Sequence, residues 1–325
     1  NNLNMELIYK KLLSNELDSL ESNLLESISS DIELASEVSN YLVSSGGKRI
    51  RPVICILIAK TFNYSGEELI KLASGIELLH SATLIHDDVV DQSQIRRGKE
   101  SIHNKWDNAH GVLVGDFVYS KAFQLMASFD NSRIIKTLAD STNKISEGEV
   151  LQLSLKNKDI LSEEDYFEII NRKTAELFKC AAVTAGILSS CDKDQINGLA
   201  RFSSSLGISF QIQDDILDYF GKEELTGKKV GKDFEEGKFT LPVLIALKKM
   251  SDEKKKGFLD IFTSGKKENF SSILEILNDQ NTLLDIQETF NSYSNVCKEE
   301  LSKMPDNQYK DALYNIVINL DSRLT

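Results

Sequence analysis

The chain reads as an all-α protein, on three observations. Proline is nearly absent, with only Pro52, Pro242 and Pro305 in 325 residues, so little interrupts a helix. Leu, Ile, Lys, Glu and Ser are abundant, a helix-favouring composition. No stretch alternates apolar and polar residues long enough to make a useful strand. Hydrophobic residues make up 41% of the chain, enough for a large core. No Pro/Gly/Ser-rich tract, tandem repeat or composition shift marks a linker, so one domain over residues 1–325 is expected.

The elements follow in order. Residues 7–25 are amphipathic and polar-rich, as in a peripheral helix. Residues 31–44 form a second helix, stopped by Gly46-Gly47. Residues 51–62 are a strongly apolar helix. Ser65-Gly66-Glu67-Glu68 is a helix start with acids in its first turn, and that helix is expected over 67–91. Residues 92–98 read as loop. Helices are predicted over 112–129, 133–155, 163–188 and 192–220. Residues 221–239 hold four glycines and five lysines without apolar periodicity and read as a mobile flap. Beyond Thr240 the chain is helical again, with loops near 264–267 and 305–307.

Charge and cysteine usage narrow the function. A net charge of −12 disfavours a general nucleic-acid binder. Cys55, Cys180, Cys191 and Cys297 show no C-x-x-C or disulfide spacing, so buried, reduced thiols in a cytoplasmic protein are expected. The longest apolar run, residues 53–59, is far shorter than the roughly 20 residues a membrane span needs. With no H-x-x-x-H or H-E-x-x-H pattern, a zinc site is rejected.

Two motifs of the form D-D-x-x-D dominate the chemistry: Asp87-Asp88-Val89-Val90-Asp91 and Asp214-Asp215-Ile216-Leu217-Asp218. Each sits in an apolar, turn-free stretch. On a helix, Asp87 and Asp91 share a face, as do Asp214 and Asp218. Like charges at that spacing destabilise a helix unless a cation lies between them. All-oxygen ligands suit Mg²⁺, which keeps waters and shares its shell with substrate phosphates. The two motifs lie on central helices and can face each other across one cavity.

Cations that match a diphosphate accompany them. Gly46-Gly47-Lys48-Arg49-Ile50-Arg51-Pro52 places Lys48 and Arg51 three residues apart as a helix starts, and Pro52 is tolerated in a first turn. Arginine forks match phosphate oxygens, and lysine acts as a mobile point charge. Arg96-Arg97-Gly98 follows the first motif by one short loop. Lys173-Thr174 lies in a helical stretch, Gln211 stands three residues before Asp214, and Lys228 and Lys238 lie in the Gly-rich segment. His80 precedes Asp87 by two helical turns, near the same face.

Together these residues resemble the trans-isoprenyl diphosphate synthase, or polyprenyl synthetase, family. G-G-K-R-x-R-P, the first D-D-x-x-D with R-R-G, the K-T pair and F-Q-I-Q-D-D-x-x-D occur in the family's order, from about Ser45 to Pro242. The text around Ala82 to Asp87 and Gly115 to Phe123 is similar to the long-chain branch. The resemblance implies an isoprenoid-synthase-type helical bundle around a central apolar cavity. It implies that Asp87 and Asp91 bind Mg²⁺ bridging the allylic diphosphate with Asp88 in support, and that Asp214 holds another Mg²⁺ with Asp215 and Asp218 supporting. Lys48, Arg51, His80 and Arg97 would bind isopentenyl diphosphate. Arg96, Lys173, Lys228 and Lys238 would bind the allylic diphosphate, with the doubled Lys228-Lys229 leaving two candidates for one role. Thr174 and Gln211 would flank the developing carbocation. A homodimer is implied, with a product that partitions to the membrane.

The reaction expected is head-to-tail condensation of isopentenyl diphosphate onto an allylic diphosphate such as farnesyl diphosphate. A terpene cyclase would not need the second diphosphate site at Gly46–Arg51, and a non-catalytic regulatory subunit should lack some of the six aspartates. One helical turn is about 5.4 Å, comparable to one isoprene unit, so Ala82 and Thr83, just before Asp87, are candidate chain-length residues. Short-chain relatives often carry bulky aromatics there. With both side chains small, the tunnel floor is expected deeper, at Phe123, Met126 or Leu151. Octaprenyl diphosphate for quinone side chains is the expected product, within a heptaprenyl-to-decaprenyl range; a short-chain geranylgeranyl or farnesyl synthase is the alternative.

Overall fold

The computed structural model describes residues 8–156, 160–221 and 230–321. It is helical almost throughout; the strands among the described residues are the two-residue pair Ile95–Arg96 and Lys99–Glu100. Two compact units emerge, neither contiguous in sequence: residues Asn1–Thr142, Leu177–Ala200 and Lys303–Ile316 in one, and Asn143–Glu176, Arg201–Ser302 and Val317–Thr325 in the other.

The first unit is built on the Ile50–Thr61 helix. Val53 through Ala59 are fully buried, because this helix is apolar on all sides. Each large aliphatic side chain so buried stabilises the fold by about 1.5–3 kcal/mol. It packs on Glu68–Val90, which in turn packs on Asn108–Ala127 and Ser14–Ser27. Glycines set the first of these contacts. A Cβ on Gly115 would fall 2.2 Å from His86 Nε2, one on Gly111 2.5 Å from Val89, and one on Gly75 2.2 Å from Met126. At Gly111 and Gly115 the Asn108–Ala127 helix thus lies too close to Val89 and His86 for a side chain of its own, whereas at Gly75 the flexible end of Met126 could move aside.

In the second unit an aromatic cluster joins the Leu241–Lys249, Asp252–Ser264 and Phe270–Asp279 helices. Phe234, Phe258, Phe262 and Tyr219 are fully buried, with Phe239 and Phe262 ring centroids 5.0 Å apart. The Leu241–Lys249 helix also packs on Thr282–Ser302.

Most boundaries agree with expectation within one or two residues, and four differences have local causes. The helix expected from 112 starts at Asn108, because the Asp107 carboxylate accepts the His110 N–H at 2.8 Å and caps it. The helix expected unbroken over 163–188 carries a π-helical turn at Asn171–Ala175. Residues 92–98, read as loop, lead into a hairpin whose two-residue turn, Arg97-Gly98, has φ of 52° and 76°, the backbone a type I′ turn demands. Within 221–239, Lys232–Glu235 is a short helix; residues 222–229 lie outside the described residues. The four cysteines are free and buried, and no described helix is long and apolar enough to cross a membrane.

Candidate active site

The first aspartate motif closes the Glu68–Val90 helix. Its three carboxylates have different surroundings. Asp88 is 3% exposed and takes both prongs of Arg96, at 3.0 Å and 2.5 Å. Asp87 is half-buried, and Asp91 is exposed at the helix C-cap, so these two are the carboxylates placed to meet a ligand. Arg96, expected to bind substrate, is thus also the counter-charge of Asp88.

Beside them lies a basic pocket. Arg51 Nη1 is 3.2 Å from His80 Nε2, and its guanidinium carbon stands 4.7 Å from the Phe178 ring centroid. A guanidinium only donates, so His80 Nε2 is the acceptor. Burial first, and then the charges of Arg51, Arg97, Arg96 and Arg49, hold the His80 imidazole well below its ordinary range; it is neutral at physiological pH. Arg97 donates to the Gly46 carbonyl and lies 4.0 Å from Glu77. Gly47, at φ 138°, makes room: a Cβ there would fall 2.7 Å from the Arg97 guanidinium carbon. Lys48 departs from expectation. It is exposed and precedes the Ile50–Thr61 helix rather than sharing a helical face with Arg51, because Arg49 takes an αL conformation, φ 50°, at the helix start.

The second motif lies on Lys193–Phe220, in the other unit. Asp214 is exposed. Asp215 is 2% exposed; it accepts from the Tyr166 hydroxyl and from Gln211 Nε2 at 3.0 Å. Thr174 donates to Gln211 Oε1 at 3.2 Å, so Thr174, Gln211, Asp215 and Tyr166 form one relay. Burial lifts the Asp215 carboxyl well above the usual carboxylate range, against the pull of the Tyr166 hydrogen bond. Asp218 accepts the backbone N–H groups of Lys232 at 3.3 Å and Asp233 at 2.9 Å, tying the segment after the motif to its helix. Lys173 is held by Gln152 at 2.6 Å and Glu149 at 2.8 Å. Lys238 pairs with Glu236 at 2.5 Å. Lys228 and Lys229 lie outside the described residues.

The chain-length candidates separate. Ala82 is fully buried and Thr83 half-buried, with the Thr83 hydroxyl donating to the His80 carbonyl at 2.7 Å. At about 100° per residue, Thr83 stands roughly 40° from Asp87 around the helix and Ala82 roughly 140° away. The two do not share a face; Ala82 falls on the stripe of Gly75, Leu79, His86 and Val89. Phe123 and Met126 line a narrow apolar cleft, too tight to admit a water molecule, with Leu79, Ala122, Leu138 and Thr142. Leu151 is half-buried in the second unit.

Among the described residues no three His, Cys, Asp or Glu side chains converge to cage an ion. Residues not anticipated from sequence matter here: Arg49, Glu77, Phe178, Tyr166 and Asp233. Glu77 had a visible signal, a lone acid in the apolar run 72–79. Tyr166 lies two turns before Lys173, a spacing that shares a face.

Comparison with known proteins bears on this geometry. The polyprenyl synthetase family model matches residues 32–279. The octaprenyl diphosphate synthase of Escherichia coli is 37% identical over 315 residues, 97% of either chain. A decaprenyl diphosphate synthase from Rhodobacter capsulatus superposes with TM-score 0.92 at 33% identity, covering 98% of this chain and 99% of its own. A polyprenyl synthase from Caulobacter crescentus complexed with calcium and isoprenyl diphosphate superposes with TM-score 0.90 at 33% identity, over 98% of either chain. Taken with the twin aspartate motifs and the arginine–histidine pocket, these likenesses show that the chain belongs to the polyprenyl synthetase family, has its all-α isoprenoid-synthase fold and is a trans-prenyl diphosphate synthase, a prenyltransferase.

Proposed function

We propose that this chain is a long-chain trans-polyprenyl diphosphate synthase. It condenses isopentenyl diphosphate head-to-tail onto an allylic diphosphate such as farnesyl diphosphate, in the presence of Mg²⁺, and makes octaprenyl diphosphate for quinone side chains. The observation that carries the reading is the division of labour in the first motif. Asp88 is buried against Arg96 while Asp87 is half-buried and Asp91 exposed, beside a pocket of Arg51, His80 and Arg97. The octaprenyl product rests on the E. coli relative and on the small Ala82 and Thr83; the similar R. capsulatus structure is that of a decaprenyl synthase. Calcium and isoprenyl diphosphate in the C. crescentus relative support a divalent cation and a diphosphate here.

In this reading Asp87, Asp91 and Asp214 would hold Mg²⁺, whose positive charge would stabilise diphosphate as a leaving group. Asp215 and Asp218 support the second motif. Lys48, Arg51, His80 and Arg97 bind the diphosphate of isopentenyl diphosphate, His80 donating through its neutral ring. Arg96, Lys173, Lys238 and one of Lys228 and Lys229 bind the allylic diphosphate, and Thr174 and Gln211 flank the allylic cation with oxygens. The double bond of isopentenyl diphosphate attacks that cation, and the departed diphosphate takes the proton. Apolar walls keep water from the cation, and Phe123 and the flexible Met126 line the cleft in which the tail ends.

Residues 1–325 act as one catalytic domain, since the family match runs through both compact units. The chain works as a cytoplasmic homodimer. Exposed Val112 and Leu113, the latter 66% exposed, give the Asn108–Ala127 helix an apolar outer face for a second copy. The long product passes to the membrane.

Asp87→Asn and Asp214→Asn test the metal sites. Turnover should fall by roughly a hundredfold or more with the helical circular dichroism unchanged, because these carboxylates serve a ligand and not the core. Wild-type turnover in either variant removes the metal assignment.

A further inference from the structure

Glu77 is a carboxylate in an otherwise apolar segment of the Glu68–Val90 helix, 2% exposed. A charge so placed is costly unless it is paired. Arg49 Nη1 donates to it at 2.9 Å, and Arg97 Nη2 lies 4.0 Å away. Arg49 also grips Glu21 with Nε at 2.7 Å and Nη2 at 3.1 Å, and the carbonyls of Val43 at 2.8 Å and Gly46 at 3.3 Å. Arg97 shares the Gly46 carbonyl. Two segments far apart in sequence, the Gly46–Arg51 loop and the Arg97-Gly98 turn, thus meet over one buried carboxylate. Both hold their shape against an αL cost, at Arg49 with φ 50° and Arg97 with φ 52°, which non-glycine residues adopt only when their surroundings enforce it.

We propose that Glu77 is a positioning residue for isopentenyl diphosphate: its carboxylate orients Arg97, and through Arg49 the loop that ends at Arg51, so that the arginines present a preformed fork to the substrate's diphosphate. The inference rests on the reading of Arg51, His80 and Arg97 as that diphosphate's site. Without Glu77, the neighbouring guanidinium groups of Arg49, Arg51 and Arg97 repel one another, and Arg97 loses its counter-charge and keeps the Gly46 carbonyl. Burial lifts the Glu77 carboxyl above its ordinary value while Arg49, Arg97 and Arg51 pull it down; facing guanidinium groups that keep their protons, it acts as a carboxylate. Glu77 does not touch substrate, so its loss should weaken binding in ground and transition states alike.

Glu77→Gln keeps the volume and removes the charge. Titration calorimetry with isopentenyl diphosphate alone, and steady-state kinetics with both substrates, should show the same change. Affinity should fall roughly tenfold, the size of effect of losing a residue that orients a ligand-binding group, and KM for isopentenyl diphosphate should rise to match. KM for farnesyl diphosphate should stay within about twofold. Glu77→Gln added to Arg97→Ala should cost less than the two single losses combined, because part of the effect of Glu77 passes through Arg97. Should Glu77→Gln not fold, Glu77→Asp carries the test, since it withdraws the charge by one methylene and should give the same selective loss. A variant that loses thermal stability yet binds isopentenyl diphosphate normally makes Glu77 a structural ion pair and overturns the proposal. Arg97→Ala with normal binding would instead overturn the reading of the diphosphate site itself.

Discussion

Asp87 and Asp88 are adjacent in sequence and differ in everything that follows from the fold. Asp88 points into the protein and is neutralised by Arg96 at 2.5 Å, while Asp87 stays at the surface of the site. The spacing of a D-D-x-x-D motif makes its outer aspartates legible as a pair, because helical periodicity alone sets their common face. The partner of the middle aspartate was not legible, since it depends on a turn formed eight residues on. Arg51 and Lys48 diverge in the same way. Arg51 is fixed by His80 and Phe178, whereas Lys48 is exposed outside the helix. Arg51→Ala should therefore raise KM for isopentenyl diphosphate by about ten- to a hundredfold, the worth of a charge-assisted hydrogen bond of about 1.5–3 kcal/mol. Lys48→Ala should raise it less. A loss of kcat with unchanged KM in Arg51→Ala would contradict the assignment.

Asp233 carries a second residue-scale consequence. Burial, then the charge of Asp218, raises its carboxyl from 3.8 to about 7, against the pull of Lys238. A carboxyl raised on folding binds its proton more tightly in the folded state. Its contribution to stability is full below pH 3.8 and is lost as the pH rises through about 7. The metal-free protein should accordingly melt at a lower temperature above that window than below it, and Asp233→Asn should flatten that part of the profile. A variant with the wild-type slope would show that Asp233 does not titrate there.

At the scale of elements, helix existence was written in apolar periodicity and the near absence of proline, whereas the start at Asn108 was missed because the Asp107 cap was not read. The π-helical turn at Asn171–Ala175 was not legible, because Asn-Arg-Lys-Thr-Ala has nothing that breaks an α-helix. Its place is telling: it holds Lys173 and Thr174, and π-turns inside helices are frequent at functional sites. A Cβ on Gly148 would fall 2.7 Å from Arg172 Cβ and 3.3 Å from the Lys173 backbone nitrogen, so the Ser132–Leu155 helix needs a glycine to reach that turn. The hairpin carrying Arg97 escaped for a related reason, since its strands are too short to show alternation.

On the proposed reading, the Glu68–Val90 helix also decides product length. Ala82 lies on the stripe with Leu79, and Leu79 borders the cleft of Phe123 and Met126. A tyrosine at position 82 would project from that stripe toward the cleft. Ala82→Tyr should shorten the product toward farnesyl or geranylgeranyl length and, as a large side chain in a filled position, lower stability by about 1–3 kcal/mol. Product sizing by chromatography checks the first effect and thermal melting the second. A folded variant that still makes the wild-type chain length would show that position 82 has no part in setting it.

At the scale of the whole chain, the all-α architecture followed from composition, and the order of G-G-K-R-x-R-P, D-D-x-x-D, K-T and the second D-D-x-x-D pointed to the family that the match over residues 32–279 shows. What composition could not reveal is how the buried charges are matched: Glu77 against Arg49 and Arg97, Asp215 against Tyr166 and Gln211. The Arg49–Glu77 and Tyr166–Asp215 pairs join positions 28 and 49 residues apart, which only the folded chain brings together. Within its own unit each pairing holds charged side chains in place, and charges fixed in advance stabilise a leaving group without reorganising. The most direct test is to incubate the purified protein with isopentenyl diphosphate, farnesyl diphosphate and Mg²⁺ and to size the prenyl products, with a chelator in a parallel reaction. A polyprenyl diphosphate centred on octaprenyl that forms only without the chelator is the predicted result; no chain elongation, or elongation undiminished by the chelator, would contradict it.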